Sequence, residues 1–266
     1  MVLPSDAFRP QRKIISWAGF KPGKCRYASV MSDNSDDPRI AAALARNDRY
    51  QREFVEAFSL CPYSRRCRET GKLQRTVLLD QGGGPGTQDF DAAAEAIVAA
   101  IARLEKLPPD SIEVGLLVLP ALDPALASGL EGARNFEQLV RVARERMQAG
   151  HARGEAPFHC VAFHPHFPED LADEHRAVRF IRRSPDPTVQ LVRASLLSRL
   201  RHGDPSGAHY VDTAGLSAAE LMAVDAPVPV AARIGQANLC TLNQANPDRL
   251  RELLAEIRMH ARPPDR

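Results

Sequence analysis

The hydrophobic residues of this chain recur at two spacings, one typical of amphipathic helices and one typical of buried strands. Short apolar runs bounded by turn residues predict strands at 74–80, 112–119 and 158–163. Apolar residues at helical spacing alternate with these runs and predict three amphipathic helices. The apolar positions are Ile40, Leu44, Tyr50, Phe54 and Phe58 in the first, Phe90, Ala94, Ile97, Val98, Ile101 and Leu104 in the second, and Phe136, Leu139, Val140, Ala143 and Met147 in the third. The first helix is expected to end near Cys61, because the proline that follows disfavours helical geometry in the residue before it.

Strands and helices in this alternating order are typical of βαβ crossovers. The sequence therefore predicts the α/β class, with a partly parallel sheet of about three to four strands and helices packed against it. After the third strand, Ser184-Pro185-Asp186-Pro187 has the capping serine and the prolines of a helix start. A helix is expected over residues 188–201, and two more are expected at 231–243 and 247–259.

The ends of this pattern indicate the domain boundaries. Residues 1–30 are basic, contain several prolines and glycines, and show no amphipathic period, and residues 31–37 are a polar lead-in to the first helix. We expect residues 1–37 to be a disordered extension or no part of the protein, with Met31 as the alternative start. A single α/β domain is expected over residues 38–262, with a loop-rich insertion at 202–230.

Composition narrows the class of protein further. At 266 residues and 44% apolar the chain is long enough to bury a substantial core. Its 35 basic residues nearly cancel its 33 acidic ones, so neither nucleic acid nor a membrane is an expected partner. Five cysteines without C-x-x-C spacing indicate reduced thiols. With no apolar stretch of membrane-spanning length, the sequence favours a cytoplasmic protein.

A thiol and imidazoles next to proline-fixed bends supply candidate catalytic groups. Cys61 leaves the first helix, and His164 ends the third strand, where ligands of α/β proteins bind. A nucleophilic or redox thiol, with an imidazole as proton donor or acceptor, suits a thiol-dependent transfer or hydrolysis. Cys61 and His164 are therefore the predicted catalytic residues.

An anion-binding site is expected where the predicted fourth helix begins. Arg183 precedes this segment, whose free N–H groups attract carboxylates and phosphates, and Ser184 caps it. Arg193 and His166 complete the predicted substrate-binding set. The expected partner is a small anionic molecule, and no motif identifies a cofactor.

Each candidate residue also has a structural interpretation. Cys61 follows a helix C-terminus, whose negative end raises a thiol pKa, and a buried structural cysteine before a turn fits that position. His164 is then a strand-end histidine bonded to the backbone, and Arg183 forms a surface salt bridge. The possible partners of Arg183 in such a bridge are Glu169, Asp170 and Asp173.

Three function classes follow from these residues. The first is an enzyme that acts on a small anionic molecule through a Cys/His/Arg site. The second is a haem- or metal-binding protein that uses Cys61 with His164 or His166, since thiolate and imidazole bind iron and zinc. In both, Cys160 is expected to stay in the core, because about 13 Å of strand separates it from His164. The third is a non-catalytic structural or interaction domain.

Several of these segments also carry a family resemblance. The short motifs are Leu60-Cys61-Pro62-Tyr63, Leu117-Val118-Leu119-Pro120, Asn135-Phe136, Phe163-His164-Pro165 and Arg183-Ser184-Pro185-x-Pro187-x-x-x-Leu191-x-Arg193. Together they resemble an uncharacterised family of bacterial cytoplasmic proteins over approximately residues 48–245. The resemblance implies relatives and no established activity. Arg182, Asp186 and Ala194 depart from the family pattern, in which the last position is a glutamate.

Overall fold

The first helix begins at a capping residue. Asp37 accepts the backbone N–H of Arg39 at 2.8 Å, and the first helical position is a proline. Helix α1 (Pro38–Arg49) continues as a π-helical segment (Tyr50–Glu56). The helical stretch therefore ends shortly before Cys61, as the sequence predicts.

The computed structural model describes residues 37–61, 63–79, 90–152, 156–197 and 230–259. The other helices are α2 (Ser64–Glu69), α3 (Phe90–Glu105), a 3-10 turn (Pro109–Ser111), α4 (Pro124–Ala127), α5 (Gly129–Ala149), α6 (Glu174–Ile181), α7 (Val230–Gln244) and α8 (Pro247–Met259). The strands are β1 (Leu73–Val77), β2 (Val114–Val118), β3 (Phe158–Phe163) and β4 (Thr188–Arg193). The expected extension at 1–37 and insertion at 202–230 lie outside the described residues, except for residues 37 and 230.

The four strands form one mixed sheet in the order β1-β2-β4-β3. Strands β1 and β2 are parallel, whereas β4 is antiparallel to both β2 and β3. Consequently β1, β2 and β3 all finish on the same side of the sheet, and β4 begins on that side. We call this side, which is formed by strand ends and not by an outer strand, the carboxyl edge. The opposite edge is the amino edge. The predicted α/β class with a partly parallel sheet and packed helices is confirmed.

The segment after Ser184 begins with a strand instead of the predicted helix. Strand β4 lies between β2 and β3, with Val189 opposite Leu117 on one side and Ala162 on the other. A central strand is covered on both faces, so its residues need not alternate strictly between apolar and polar. The prediction of a helix over 188–201 is therefore wrong for β4; a helical turn follows at 194–197, and residues 198–201 lie outside the described residues.

The alternation of side chains along the strands divides the core between the two faces of the sheet. Helices α3, α4 and α5 cover one face, the α5 face, where they pack on side chains such as Leu117 and Val189. Helix α1, the π-helical segment, α6, α7 and α8 supply the apolar clusters of the other face, the α1 face, which include Val118 and Phe163. Residues that are adjacent in a strand therefore face different cores.

Candidate functional site

Most of the short sequence motifs meet at the carboxyl edge. Pro120 follows β2 there, His164 follows β3, and the segment from Arg183 to Pro187 leads into β4. The backbone N–H of Leu119 donates to the Pro187 carbonyl at 2.9 Å and ties two of these segments together. Because ligands of α/β sheets bind at this edge, the structure places the predicted motifs where a site is usually found.

His164 is fully buried on the α5 face, and both of its ring nitrogens are bonded to the backbone. Its Nε2 lies 2.9 Å from the Leu126 carbonyl, and its Nδ1 accepts the backbone N–H of His166 at 3.2 Å. These partners require a proton on Nε2 and none on Nδ1. Burial lowers the pKa of His164 to about 4, against the hydrogen bond to Leu126, so the ring is neutral at neutral pH. The ring also packs 5.6 Å from that of Phe136.

Cys61 is partly buried on the α1 face, packed against the cluster that contains Tyr50 and Phe163. Burial raises the pKa of its thiol, backbone N–H groups of the following turn lower it, and the Glu56 carboxylate raises it again. The net shift is upward, which keeps the thiol protonated at neutral pH. Arg68 does not offset this, since both of its hydrogen bonds go to Glu56, at 2.9 and 2.8 Å.

The two predicted catalytic residues are therefore not brought together. The Cys61 side chain belongs to the core of the α1 face, and the His164 ring contacts the core of the α5 face. The sheet lies between these two cores. The same separation gives no support to a single iron held between Cys61 and His164.

Arg183 and His166, two of the predicted substrate-binding residues, do lie in one group. Arg183 follows α6 instead of preceding a helix, so no helix N-terminus contributes to the anion-binding site that was predicted at this residue. Its Nη1 donates to the Phe167 carbonyl at 2.9 Å and pairs with Glu169 at 2.5 Å. The predicted salt bridge to Glu169 is therefore present in the structure.

Helix α8 adds two arginines to this group. The Nε of Arg251 lies 2.7 Å from the second carboxylate oxygen of Glu169, and Arg251 also pairs with Asp248. Arg258 donates from Nη2 to the Nε2 of His166 at 2.9 Å. We call Arg183, Arg251, Arg258 and His166 the arginine cluster. Sequence reasoning missed the two helical arginines, although their seven-residue spacing puts both on one side of α8.

Electrostatics within the arginine cluster favour an added negative charge. Burial lowers the pKa of Arg183, Glu169 raises it, and Arg258 and Arg251 lower it again. Burial also lowers the pKa of His166, and Arg258 and Arg183 lower it further. His166 is consequently neutral at neutral pH, and its Nε2 accepts a hydrogen bond from Arg258.

Ser184 and Asp186 hold the turn that leads into β4. The hydroxyl groups of Ser184 and Thr188 donate to the Asp186 carbonyl at 2.5 and 2.9 Å, and Ser184 is buried. The Asp186 carboxylate accepts two hydrogen bonds from Arg46 of α1, at 2.9 and 2.8 Å. Ser184 therefore has a structural role in the turn and does not reach the arginine cluster through its hydroxyl group.

Arg193 lies at the other end of β4, on the amino edge. About 17 Å of extended strand separates it from Thr188, so it does not join Arg183. Its Nε donates to the Ile112 carbonyl at 2.9 Å, and its guanidinium carbon lies 4.6 Å from the centroid of the Phe158 ring. Arg193 therefore lies on a strand and not in the predicted helix, and the structure does not bring these two members of the predicted substrate-binding set together, because β4 extends away from the carboxyl edge.

An apolar cleft of about 340 Å³ opens at the carboxyl edge beside β1 and β2. Helix α1 forms one wall, and the residues after β1 and β2 form the other. The lining residues are Pro38, Arg39, Ala42, Arg46, Leu79, Pro120 and Ala121. Both arginines in this lining are already paired with carboxylates, Arg39 with Asp37 and Arg46 with Asp186.

The remaining thiols and possible metal ligands occupy separate positions. Cys160 is buried in the α5-face core, as predicted, and burial raises its pKa to about 11. Cys67 is buried near the amino edge, where its thiol lies 3.4 Å from the Glu113 carboxylate. In the described part of the chain, no group of three or more His, Cys, Asp or Glu side chains could hold a metal ion.

The described residues thus define an α/β protein with a mixed four-stranded sheet and a basic cluster at the carboxyl edge. The chain belongs to the family described as "Protein of unknown function (DUF1415)", whose family model matches residues 43–210. This match confirms the resemblance to an uncharacterised family. No curated protein and no solved structure matches the chain. Among the described helices, none has the length and apolar character to cross a membrane.

Proposed function

We propose that this protein binds a small anionic molecule at the arginine cluster and acts on it with His166 as the proton-exchanging group. The observation that supports this proposal is the balance of positive and negative charges in the arginine cluster. Among the residues that the structure describes, the three guanidinium groups contact two carboxylates, those of Glu169 and Asp248, and Arg258 instead donates to a neutral imidazole. Within that part of the chain, one positive charge of the cluster has no carboxylate partner, and guanidinium groups bind carboxylates and phosphates in paired hydrogen bonds.

His166 is better suited than His164 to exchange a proton with such a molecule. His166 is only half-buried, and its Nε2 is held by Arg258, a side chain that is itself exposed. An anion that drew Arg258 away would free this nitrogen and raise the pKa of His166 toward its ordinary value. His164, with both nitrogens bonded to backbone groups, instead supports the turn that carries His166.

Cys61 has no direct role in the proposed function. Its raised thiol pKa and its position on the α1 face argue against a thiolate nucleophile. The four described cysteines are free thiols, which supports a reducing, cytoplasmic setting as part of the same proposal. Nucleic acid and membrane partners form no part of it.

Titration of the protein with simple anions tests the proposal. Acetate, succinate and phosphate are titrated into the wild-type protein and into Arg258→Gln, and binding is followed by calorimetry and by the shift in melting temperature. We expect Arg258→Gln to weaken anion binding by about ten- to hundredfold, because it removes a charge-assisted hydrogen bond of about 1.5–3 kcal/mol.

Arg141→Gln is the matched control. Arg141 is an exposed arginine that pairs with Glu145 on α5, outside the cluster. Its substitution should leave anion binding unchanged. Equal anion affinity in the wild-type protein and in Arg258→Gln contradicts the proposed site. Failure of every anion to bind the wild-type protein favours the non-catalytic interaction domain instead.

A further inference from the structure

The Glu169 carboxylate sits between two arginines of the cluster in the way a bound carboxylate would. One of its oxygens lies 2.5 Å from Nη1 of Arg183, and the other lies 2.7 Å from Nε of Arg251. A single planar carboxylate therefore bridges two guanidinium groups that come from different parts of the chain. The two nitrogens are thus spaced to suit the two oxygens of one carboxylate.

We infer that the molecule bound at this site is a small carboxylate, and that its carboxylate group displaces Glu169. This inference rests on the proposed function, since it assigns the ligand class of the same site. The Glu169 carboxylate thus occupies the position of the ligand carboxylate when no ligand is bound. Glu169 already binds both nitrogens with its two oxygens, so the carboxylate of a ligand fits the same position.

The surroundings of Glu169 allow it to leave without disturbing the arginine cluster. Its side chain is 37% exposed and lies in an irregular stretch between β3 and α6. The pair of Glu169 with Arg251 is 37% exposed on both sides, and such pairs are weak, so moving Glu169 into solvent costs mainly its pair with the less exposed Arg183. Arg183 keeps its hydrogen bond to the Phe167 carbonyl, which holds the guanidinium in place without Glu169.

The charge left after displacement also suits a carboxylate ligand. Without Glu169, the described residues leave the three guanidinium groups of the cluster with one carboxylate, that of Asp248. The site then carries two unbalanced positive charges, which one dicarboxylate would neutralise. Arg258, next to His166, is placed to contact the second carboxylate of such a molecule.

Removing the internal carboxylate tests the inference. Acetate, succinate and phosphate are titrated into the wild-type protein, Glu169→Gln and the control Glu145→Gln, with arginine Nε–H resonances followed by NMR. Glu145 is an exposed glutamate that pairs with Arg141 on α5. We expect Glu169→Gln to bind acetate and succinate roughly fivefold more tightly than the wild-type protein, since a competing ion pair is gone. Glu145→Gln should match the wild-type protein.

Each outcome bears on the inference separately from the proposed function. Unchanged or weaker carboxylate binding by Glu169→Gln overturns the role given to Glu169, even where the wild-type protein binds anions and Arg258→Gln does not. Preference of the wild-type protein for phosphate over succinate overturns the carboxylate class. If no protein binds any of the three anions, the inference and the proposed function both fall.

Discussion

His164 is held at both ring nitrogens by backbone groups, and this arrangement fixes its tautomer and its charge. The bond to Leu126 connects the end of β3 to α4, and the N–H of His166 closes the turn that follows. A histidine so placed contributes to stability only as the neutral form. Cys61 shows the same influence of surroundings, because burial and Glu56 raise its thiol pKa. At the scale of residues, the environment outweighs the residue type.

The lowered pKa of His164 predicts acid-sensitive stability. Its folded pKa is about 4 and its ordinary value is 6.5, so the unfolded chain takes up a proton first as the pH falls. The stabilisation is fully present above pH 6.5 and is lost between pH 6.5 and 4, by up to about 3 kcal/mol. Urea unfolding of the wild-type protein and of His164→Gln at several pH values measures this difference.

The Gln side chain can donate from its Nε2 but does not titrate, so His164→Gln serves as its own pH control. We expect the stability gap between the two proteins to narrow steadily as the pH is lowered from 7 to 4. The assignment of a buried neutral ring to His164 is wrong if the gap stays constant over that range.

At the scale of elements, strand β4 shows how pairing overrides a local signal. The turn residues ahead of it resemble a helix start, but Thr188, Val189 and Val192 are β-branched and suit a strand. Between β2 and β3, this segment satisfies its backbone groups on both sides. By contrast, α3, β3 and α8 were predicted closely because their hydrophobic periods are long or well bounded. Helix α6 was not predicted, because it spans only eight residues, about two turns, and offers few repeats of the helical spacing.

Close packing between β2, β4 and α3 predicts a large effect of one methyl group. A Cβ atom on Gly115 would lie 3.1 Å from a methyl carbon of Leu104 and 3.3 Å from one of Leu191. Gly115→Ala should therefore destabilise the fold by about 1–3 kcal/mol, measured by urea unfolding. Gly150→Ala is the control, since its added carbon would meet only ordinary contacts, at 3.5 Å. Equal stability of both variants would contradict this prediction and would show that the Leu104 and Leu191 side chains move aside for the methyl group.

At the scale of the whole molecule, an ion pair attaches α1 to the turn before β4. Arg46 and Asp186 are 140 positions apart in sequence, and their side chains are only 13% and 11% exposed. The pair lies between the apolar cleft and the turn that contains Ser184, so it holds α1 next to this turn at the carboxyl edge. No sequence period links these two residues, because their contact depends on how α1 crosses the sheet.

Breaking this ion pair on one side should be costly. Arg46→Met leaves the Asp186 carboxylate buried without its cation, and we expect a loss of about 3–5 kcal/mol in the free energy of unfolding. The double variant Arg46→Met with Asp186→Asn removes the stranded charge and should recover most of that loss. Chemical denaturation measures both. A loss below about 1 kcal/mol in the single variant would show that the pair does not tie α1 to the sheet.

The sequence by itself determined the α/β class, the positions of most helices and three strands, and the family, because these depend on local periodicity and short motifs. It also identified His166 and Arg183 as candidate anion ligands. Only the tertiary structure decided that Cys61 and His164 face different cores, that Arg193 lies at the far edge, and that Arg251 and Arg258 join the cluster. Such pairings are set by strand order and by which face each helix covers, and spacing along the chain does not contain that information.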